Sequence, residues 1–330
     1  MVWSNAQAGA TYIVQTATSL LGGTNWVDYV QLPTTNIVNT NLLMDFNPPP
    51  GMALIPAGVF TMGNSVGDPD LSPVNPSPTN VMVSAFYMDE TLVSYGQWQS
   101  VFNWATNHGY VFDDTGEGNA ADYPVEAVNW YDCVKWCNAR SQREGLTPVY
   151  YTDGALTDLY TNGELEISNA DVNWTANGYR LPTEAEWEKA ARGGLIGKRF
   201  PWGNTISESR ANYYGATDQF SYDLGPSDTN PAFTNTYPYT SPVRYFAPNG
   251  YGLYDMAGNV QEWCWDYTYT TPYEGGTDPR GPDSSTTRWR VLRGGIWNTV
   301  AELARCARRN AGDPSFPNNH SNGFRCVRAF

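Results

Sequence analysis

Apolar and polar positions alternate in short runs near the start of the chain: Thr11-Tyr12-Ile13-Val14-Gln15, Trp26-Val27-Asp28-Tyr29-Val30 and Asn36-Ile37-Val38. A period of two over such β-prone residues predicts half-buried strands, and Gly22-Gly23 supplies a turn between the first two. Residues 1–46 are therefore expected to form a short β module, too short for a full sandwich, or the remnant of a neighbouring β domain. Asn47-Pro48-Pro49-Pro50 follows as a stiff polyproline linker, which places the main domain at residues 51–330.

Beyond the linker the period changes to 3.6 in two places. Asn129 is placed to cap a helix whose apolar stripe, Ala127, Trp130, Val134 and Cys137, runs on to about Arg143, where Gly145 and Pro148 end it. The second helix follows Pro182, with Thr183 and Glu186 at the spacing of a capping box and Gly193-Gly194 past its end at Arg192. Strands such as Ser84-Ala85-Phe86-Tyr87-Met88 and Arg290-Val291-Leu292 lie between long loops. The pattern predicts an α+β domain, loop-rich with few helices, and long loops in a compact domain carry function or bind ions.

Composition sharpens this picture. Aromatic residues make up 14% of the 330, with 13 Trp and 22 Tyr, alongside 31 Gly and 23 Pro, so large rings are expected to pin irregular segments. A balance of 19 basic to 33 acidic residues gives a net charge of -14, which repels phosphate backbones and anionic membrane surfaces. Nucleic acid is accordingly excluded as an expected partner. No stretch approaches the roughly 18 apolar residues of a membrane span. The start Met1-Val2-Trp3-Ser4 is no signal peptide, and Met1 is expected to open a piece of a longer secreted chain. Five cysteines allow two disulfides with one thiol over.

The strings GMALIPAGVFTMG (51–63), PVEAVNWYDCVKWC (124–137), NGYRLPTEAEWEKAARGG (177–194), FPWGN (200–204), NGYGLYDMAGNVQEW (249–263), RVLRGG (290–295) and NGFRCVR (322–328) occur in one order. Together they resemble the formylglycine-generating-enzyme (sulfatase-modifying factor) domain family, whose fold is an elaborated C-type lectin fold. The resemblance covers essentially all of residues 51–330.

Family resemblance does not settle activity. Oxidase members convert a substrate cysteine to formylglycine with copper held by two cysteines between the RGG motif and the Arg-rich strand after it. Soft thiolates suit Cu(I). Here that stretch reads RGGIWNTVAELARCARRN (293–310), in which the residues from Trp297 to Leu303 contain no sulfur, and Cys306 resembles a structural cysteine of the family. Copper is therefore not expected as a cofactor. The related iron-dependent sulfoxide synthases need a three-histidine set, and this chain has only His108 and His320.

The resemblance implies disulfides Cys137–Cys326 and Cys264–Cys306, hence an oxidising, extracytoplasmic compartment. Cys133, four residues before Cys137 on one helical face, reads as a buried small apolar residue, with a metal-binding pair as the alternative.

Calcium is the cofactor expected. Asp255 and Glu262 bracket a Gly-containing turn within eight residues, a spacing at which carboxylates and carbonyls wrap a hard cation. By resemblance the ligands are the Asp255 and Glu262 side chains with the Gly258 and Val260 carbonyls. A second family site would use Asn212, the Tyr213 carbonyl, Asn235 and the Tyr237 carbonyl, with Asn235 where oxidase members carry an aspartate.

In the lectin-type fold the surface of the last fifty or so residues varies freely. It offers Trp297, Asn298, Glu302, Arg309, Asn310, Asp313, Phe316, Asn318, Asn319 and His320, and rings beside amides and charges suit recognition. The alternative is that Trp297 and Phe316 are core and the asparagines cap turns. The layout resembles the ligand-binding variable proteins of diversity-generating retroelements, and a protein, peptide or glycan ligand is expected. Arg180, Glu184, Glu186, Trp187, Arg293 and Arg325 read as an ion-pair and stacking framework rather than a catalytic set. The function expected is a secreted, calcium-stabilised recognition domain without the oxidase centre. A copper-dependent cysteine oxidase and a purely structural extracellular domain are the alternatives.

Overall fold

Fifteen strands, most of them short, and three α-helices are laid out along the described residues of the chain. The computed structural model describes residues 11–17, 26–33, 48–68, 78–269, 275–317 and 320–330. Strands β1 (Thr11–Ala17), β2 (Trp26–Pro33), β3 (Met52–Ile55), β4 (Gly58–Met62), β5 (Thr79–Val83) and β6 (Phe86–Asp89) precede α1 (Tyr95–Thr106) and α2 (Trp130–Arg143). β7 (Tyr179–Arg180) leads into α3 (Glu184–Arg192), and β8 (Tyr214–Gly215) pairs with β9 (Asp228–Thr229). The rest is β10 (Gln261–Tyr267), β11 (Gly276–Thr277), β12 (Arg290–Arg293), β13 (Asn310–Gly312), β14 (Asn322–Gly323) and β15 (Val327–Ala329).

The first two predicted strands pair as an antiparallel hairpin, from Thr11 opposite Pro33 to Ala17 opposite Trp26, with an irregularity between Val14 and Gln15. The third predicted run at 36–38 and the turn at 22–23 lie outside the described residues. In the main domain β15 lies between β6 and β7 in a sheet of order β3-β6-β15-β7. The last strand is thus clamped between early ones. A second sheet of order β13-β12-β10-β14 carries the C-terminal motifs, and β11-β5-β4 forms a third.

The helices form where capping chemistry sets them. Asn129 accepts from the Asp132 N–H at 2.8 Å to start α2, and Thr183 and Glu186 complete a capping box on α3. Gly193, at φ 55°, ends α3 in the left-handed region that an L side chain avoids. The structure adds α1, which the sequence pattern did not predict, opened by a capping box between Ser94 and Gln97. Its buried face is only Trp98, Val101 and Ala105, too sparse a stripe to stand out among aromatic loops.

Large rings fill the core between α1, α2 and the sheets. Trp98 stacks on Trp136 with centroids 5.9 Å apart, and Phe324 meets both edge-on. Three buried indoles donate to backbone carbonyls: Trp136 Nε1 to Trp98 at 3.1 Å, Trp130 to Cys264 at 2.9 Å and Trp263 to Val128 at 3.0 Å. No helix among the described residues is long and apolar enough to cross a membrane.

Candidate functional site

The expected framework residues are buried and paired. Arg180 holds Glu186 through two bonds of 2.7 and 2.6 Å, Arg325 holds Glu262 at 2.7 and 3.0 Å, and Arg293 lies between Glu184 and Glu188. The Arg293 guanidinium also covers the Trp187 ring at 5.4 Å. Burial alone would push the Glu188 carboxyl up, but Arg192 and Arg293 outweigh it and leave it below its ordinary value. These groups tie α3 to β7 and β12, and β10 to the segment before β15, and all are buried.

The loop 255–262, expected to hold calcium, precedes and enters β10 beside these pairs. Gly258 has φ 77°, and a Cβ there would meet the Asn212 carbonyl oxygen at 2.2 Å, so only glycine lets the two loops approach. Asp255 is buried; its Oδ2 accepts the Arg244 N–H at 3.0 Å while Oδ1 has no partner. Burial pushes this carboxyl up to about 6, against the opposing pull of the Arg244 N–H and Arg325. Asn212 is likewise buried with Nδ2 on the Tyr239 carbonyl at 2.8 Å and Oδ1 unpartnered. Each of the two adjoining loops thus carries one orphaned oxygen of the hard type that calcium takes. Glu262 fits less directly, because both its oxygens are engaged by Arg325. Of the second set, Asn235 and Tyr237 are exposed, and Tyr213 is buried beside Asn212.

The cysteines differ from expectation. All five thiols are free and buried, so neither expected disulfide is formed in this structure. Cys137 and Cys326 do face each other, with Sγ atoms 3.6 Å apart, against about 2.05 Å for a bond. Cys264 and Cys306 share one apolar cluster with Trp187 and Val291. Cys133 is a fully buried core residue, as its helical position implied.

The C-terminal face divides into exposed and buried parts. Asn298, Asn310, Asp313 and Phe316 are exposed, Phe316 by 60%. Asp313 Oδ1 accepts from Ser315 N at 3.1 Å and Oγ at 2.8 Å, fixing the turn that presents Phe316. Glu302 bonds Arg308 at 2.8 Å. Arg309 does not belong to this surface: it is buried against Glu184 at 2.6 and 2.5 Å, because that carboxylate at the start of α3 has to be neutralised inside the core. Trp297 is also buried, its Nε1 on the His320 carbonyl at 3.1 Å, so it supports the face rather than projecting from it. Asn318 and Asn319 lie outside the described residues.

Three features escaped the sequence reading. A cavity of about 150 Å³ opens between Gln261, Leu292, Ile296, Leu303, Arg308 and Asn310, beside the segment where a soft-metal centre was considered. Tyr237 and Tyr239 bring their rings against Trp297 at 5.7 and 5.3 Å. Glu117 and Glu126 reach His320 from the opposite side, at 3.6 and 3.9 Å. No local pattern signals contacts between segments so far apart in the chain.

This arrangement of short sheets and capped helices around an Arg–carboxylate framework defines a formylglycine-generating-enzyme-type domain. The chain belongs to the family of sulfatase-modifying factor enzyme 1-like domains, whose profile matches residues 41–330. It is 34% identical over 235 residues to "Chaperone protein LppX" of Paenibacillus barcinonensis, covering 69% of this chain and 75% of that protein. It is 35% identical over 306 residues to the formylglycine-generating enzyme of Thermomonospora curvata, covering 84% and 93%. Among solved structures, Treponema denticola variable protein 1 matches with a TM-score of 0.63 at 30% identity, over 84% of this chain and 95% of that one.

Proposed function

We propose that the chain is a calcium-stabilised, extracytoplasmic recognition domain of this family that binds a protein, peptide or glycan through its C-terminal face and performs no copper oxidation. The supporting observation is the thiol inventory of residues 293–310: Cys306 is the sole sulfur there, and it is fully buried. Burial pushes that thiol up to about 12, with Arg192 pulling the other way, so it carries no thiolate at neutral pH to offer a soft metal. The exposed Asn298, Asn310 and Phe316, with Asn310 at the cavity, supply contact area and directional bonds instead. Similarity to a variable protein and to a protein named as a chaperone agrees with binding, whereas the similarity to formylglycine-generating enzymes favours the oxidase reading.

In the same reading, Asp255, Asn212 and the Gly258 and Val260 carbonyls hold calcium, and Cys137–Cys326 closes under oxidising conditions. The deciding experiment has two arms. Reduced protein is titrated with Cu(I) and offered a cysteine-containing peptide while oxygen is monitored, and a photo-crosslinker is placed at Asn298 or, as control, at Ile196, which is 86% exposed. The expected outcome is no stoichiometric copper uptake, no oxygen consumption, and a discrete crosslinked partner from Asn298 alone. Tight copper uptake with oxygen consumption would overturn the proposal.

A further inference from the structure

Glu126 is 1% exposed, yet its Oε2 has no hydrogen-bond partner. Placing a carboxylate there without a donor is costly. Facing it, His320 Nδ1 is also buried and unpartnered, 3.9 Å from Glu126 Oε2 and 3.6 Å from Glu117 Oε2. Among the described residues no lysine or arginine forms an ion pair with either glutamate. Two carboxylates and an imidazole nitrogen therefore converge with no lysine or arginine among the described residues paired to them, and Glu126 Oε2 and His320 Nδ1 are left without a hydrogen-bond partner.

The corner is built, not incidental. Glu117 and Glu126 are held opposite each other by reciprocal backbone bonds of 2.8 and 2.9 Å. Asn119 Nδ2 donates to the Pro238 carbonyl at 2.7 Å and the Thr240 hydroxyl at 3.2 Å, pinning the loop that carries Tyr237 and Tyr239 against the glutamates. Tyr237 is 61% exposed, with its ring 5.2 Å from that of His320 and nearly perpendicular to it. Glu117, 61% exposed at its side chain, forms the open edge, and His320, 25% exposed, covers Glu126.

We propose that this corner is a subsite for a primary ammonium group of the ligand, with Glu117, Glu126 and His320 Nδ1 accepting its three N–H bonds and Tyr237 covering its alkyl stem. The inference rests on the recognition reading of the same face. A tetrahedral –NH3⁺ has three donors for three converging acceptors, whereas a quaternary ammonium has none and a guanidinium is a planar fork. The aromatic face adds attraction for the cation and contact for its carbons. Both a lysine side chain and an amino sugar carry this group.

The test is a calorimetric titration of the intact protein with Nα-acetyl-lysine-N-methylamide, its Nε-acetylated counterpart and D-glucosamine, repeated on Glu117→Gln, Glu126→Gln and Tyr237→Ala. Glu117→Gln changes an exposed side chain and guards against misfolding of the buried variant. At least one primary amine is expected to bind saturably at 1:1, tenfold or more weaker in each glutamate variant and several-fold weaker in Tyr237→Ala, while the Nε-acetyl compound does not bind. The tighter of lysine and glucosamine identifies the source. Absence of binding by both amines, equal binding by the Nε-acetyl compound, or unchanged affinity in both glutamate variants overturns the proposal. So does nuclear magnetic resonance showing that His320 in the free protein donates a proton to Glu126 that no amine displaces. If such a failure comes with persistent crosslinking from Asn298, only the ammonium subsite falls; copper-dependent oxygen consumption removes the recognition reading itself.

Discussion

Glu184, Glu186 and Glu188 follow one another on a single short helix, and each meets a different guanidinium: Arg309, Arg180 and Arg192. Such pairs add little beyond a well-packed apolar core, but removing one partner strands a buried charge. Arg309→Ala leaves Glu184 with Arg293 alone, 3.3 Å away, and is expected to lower stability by about 3 kcal/mol in urea unfolding. Asn298→Ala, on the exposed C-terminal face, is expected to stay within about 0.5 kcal/mol of the parent. Equal effects at the two positions would show that Arg309 is no framework residue. Glu126 behaves differently because no lysine or arginine among the described residues pairs with it: burial, then Glu117, push its carboxyl up to about 8. Its folded value is raised above the unfolded one, so the stability it contributes is complete below about pH 4.5 and is lost as pH rises through about 8. Glu126→Gln is expected to melt roughly 2–5 °C above the parent at pH 8.5 and at the same temperature at pH 4 in differential scanning calorimetry. A parallel pH dependence of the two proteins would refute this.

At the scale of elements, capping residues made α2 and α3 legible, since Asn129, Thr183, Glu186 and Gly193 act through neighbours a few positions away. The capping box of α1 at Ser94 and Gln97 was equally local, but it opened a helix with so sparse an apolar stripe that the pattern after it looked like loop. The acidic loop before β10 was legible as an oxygen-rich turn, whereas the Arg325 grip on Glu262 was not, because that contact spans 63 residues. The pairing shifts the weight of the proposed calcium site onto Asp255, Asn212 and the loop carbonyls. Chelation by EDTA should therefore lower the melting temperature, since a ligand at a hundred times its Kd stabilises by about 2.7 kcal/mol. Asp255→Asn should erase the difference between the chelated and calcium-loaded protein. An EDTA-insensitive parent protein would remove calcium from the account.

Across the whole molecule, α2 and the last strands lie far apart in the chain, yet Cys137 and Cys326, 189 residues apart, are brought to 3.6 Å. Burial holds the Cys326 thiol well above its ordinary value, with the neighbouring Cys137 adding to the effect, so it is inert as a nucleophile. Bond formation therefore requires an opening of the core, or oxidation during folding before Trp136 and Phe324 close around the pair. Refolding under a glutathione redox couple is expected to yield one intramolecular bond between Cys137 and Cys326, read as a mass loss of two hydrogens and a crosslinked peptide pair. Oxidation of the already folded protein should be far slower. A crosslink of this span stabilises by roughly 4–5 kcal/mol in the chain-entropy model, so the bridged form should unfold at clearly higher urea than Cys326→Ser. Two free thiols at both positions after oxidative refolding would mean that the contact is packing alone, and the domain would then rely on its aromatic core and buried ion pairs to join its two ends.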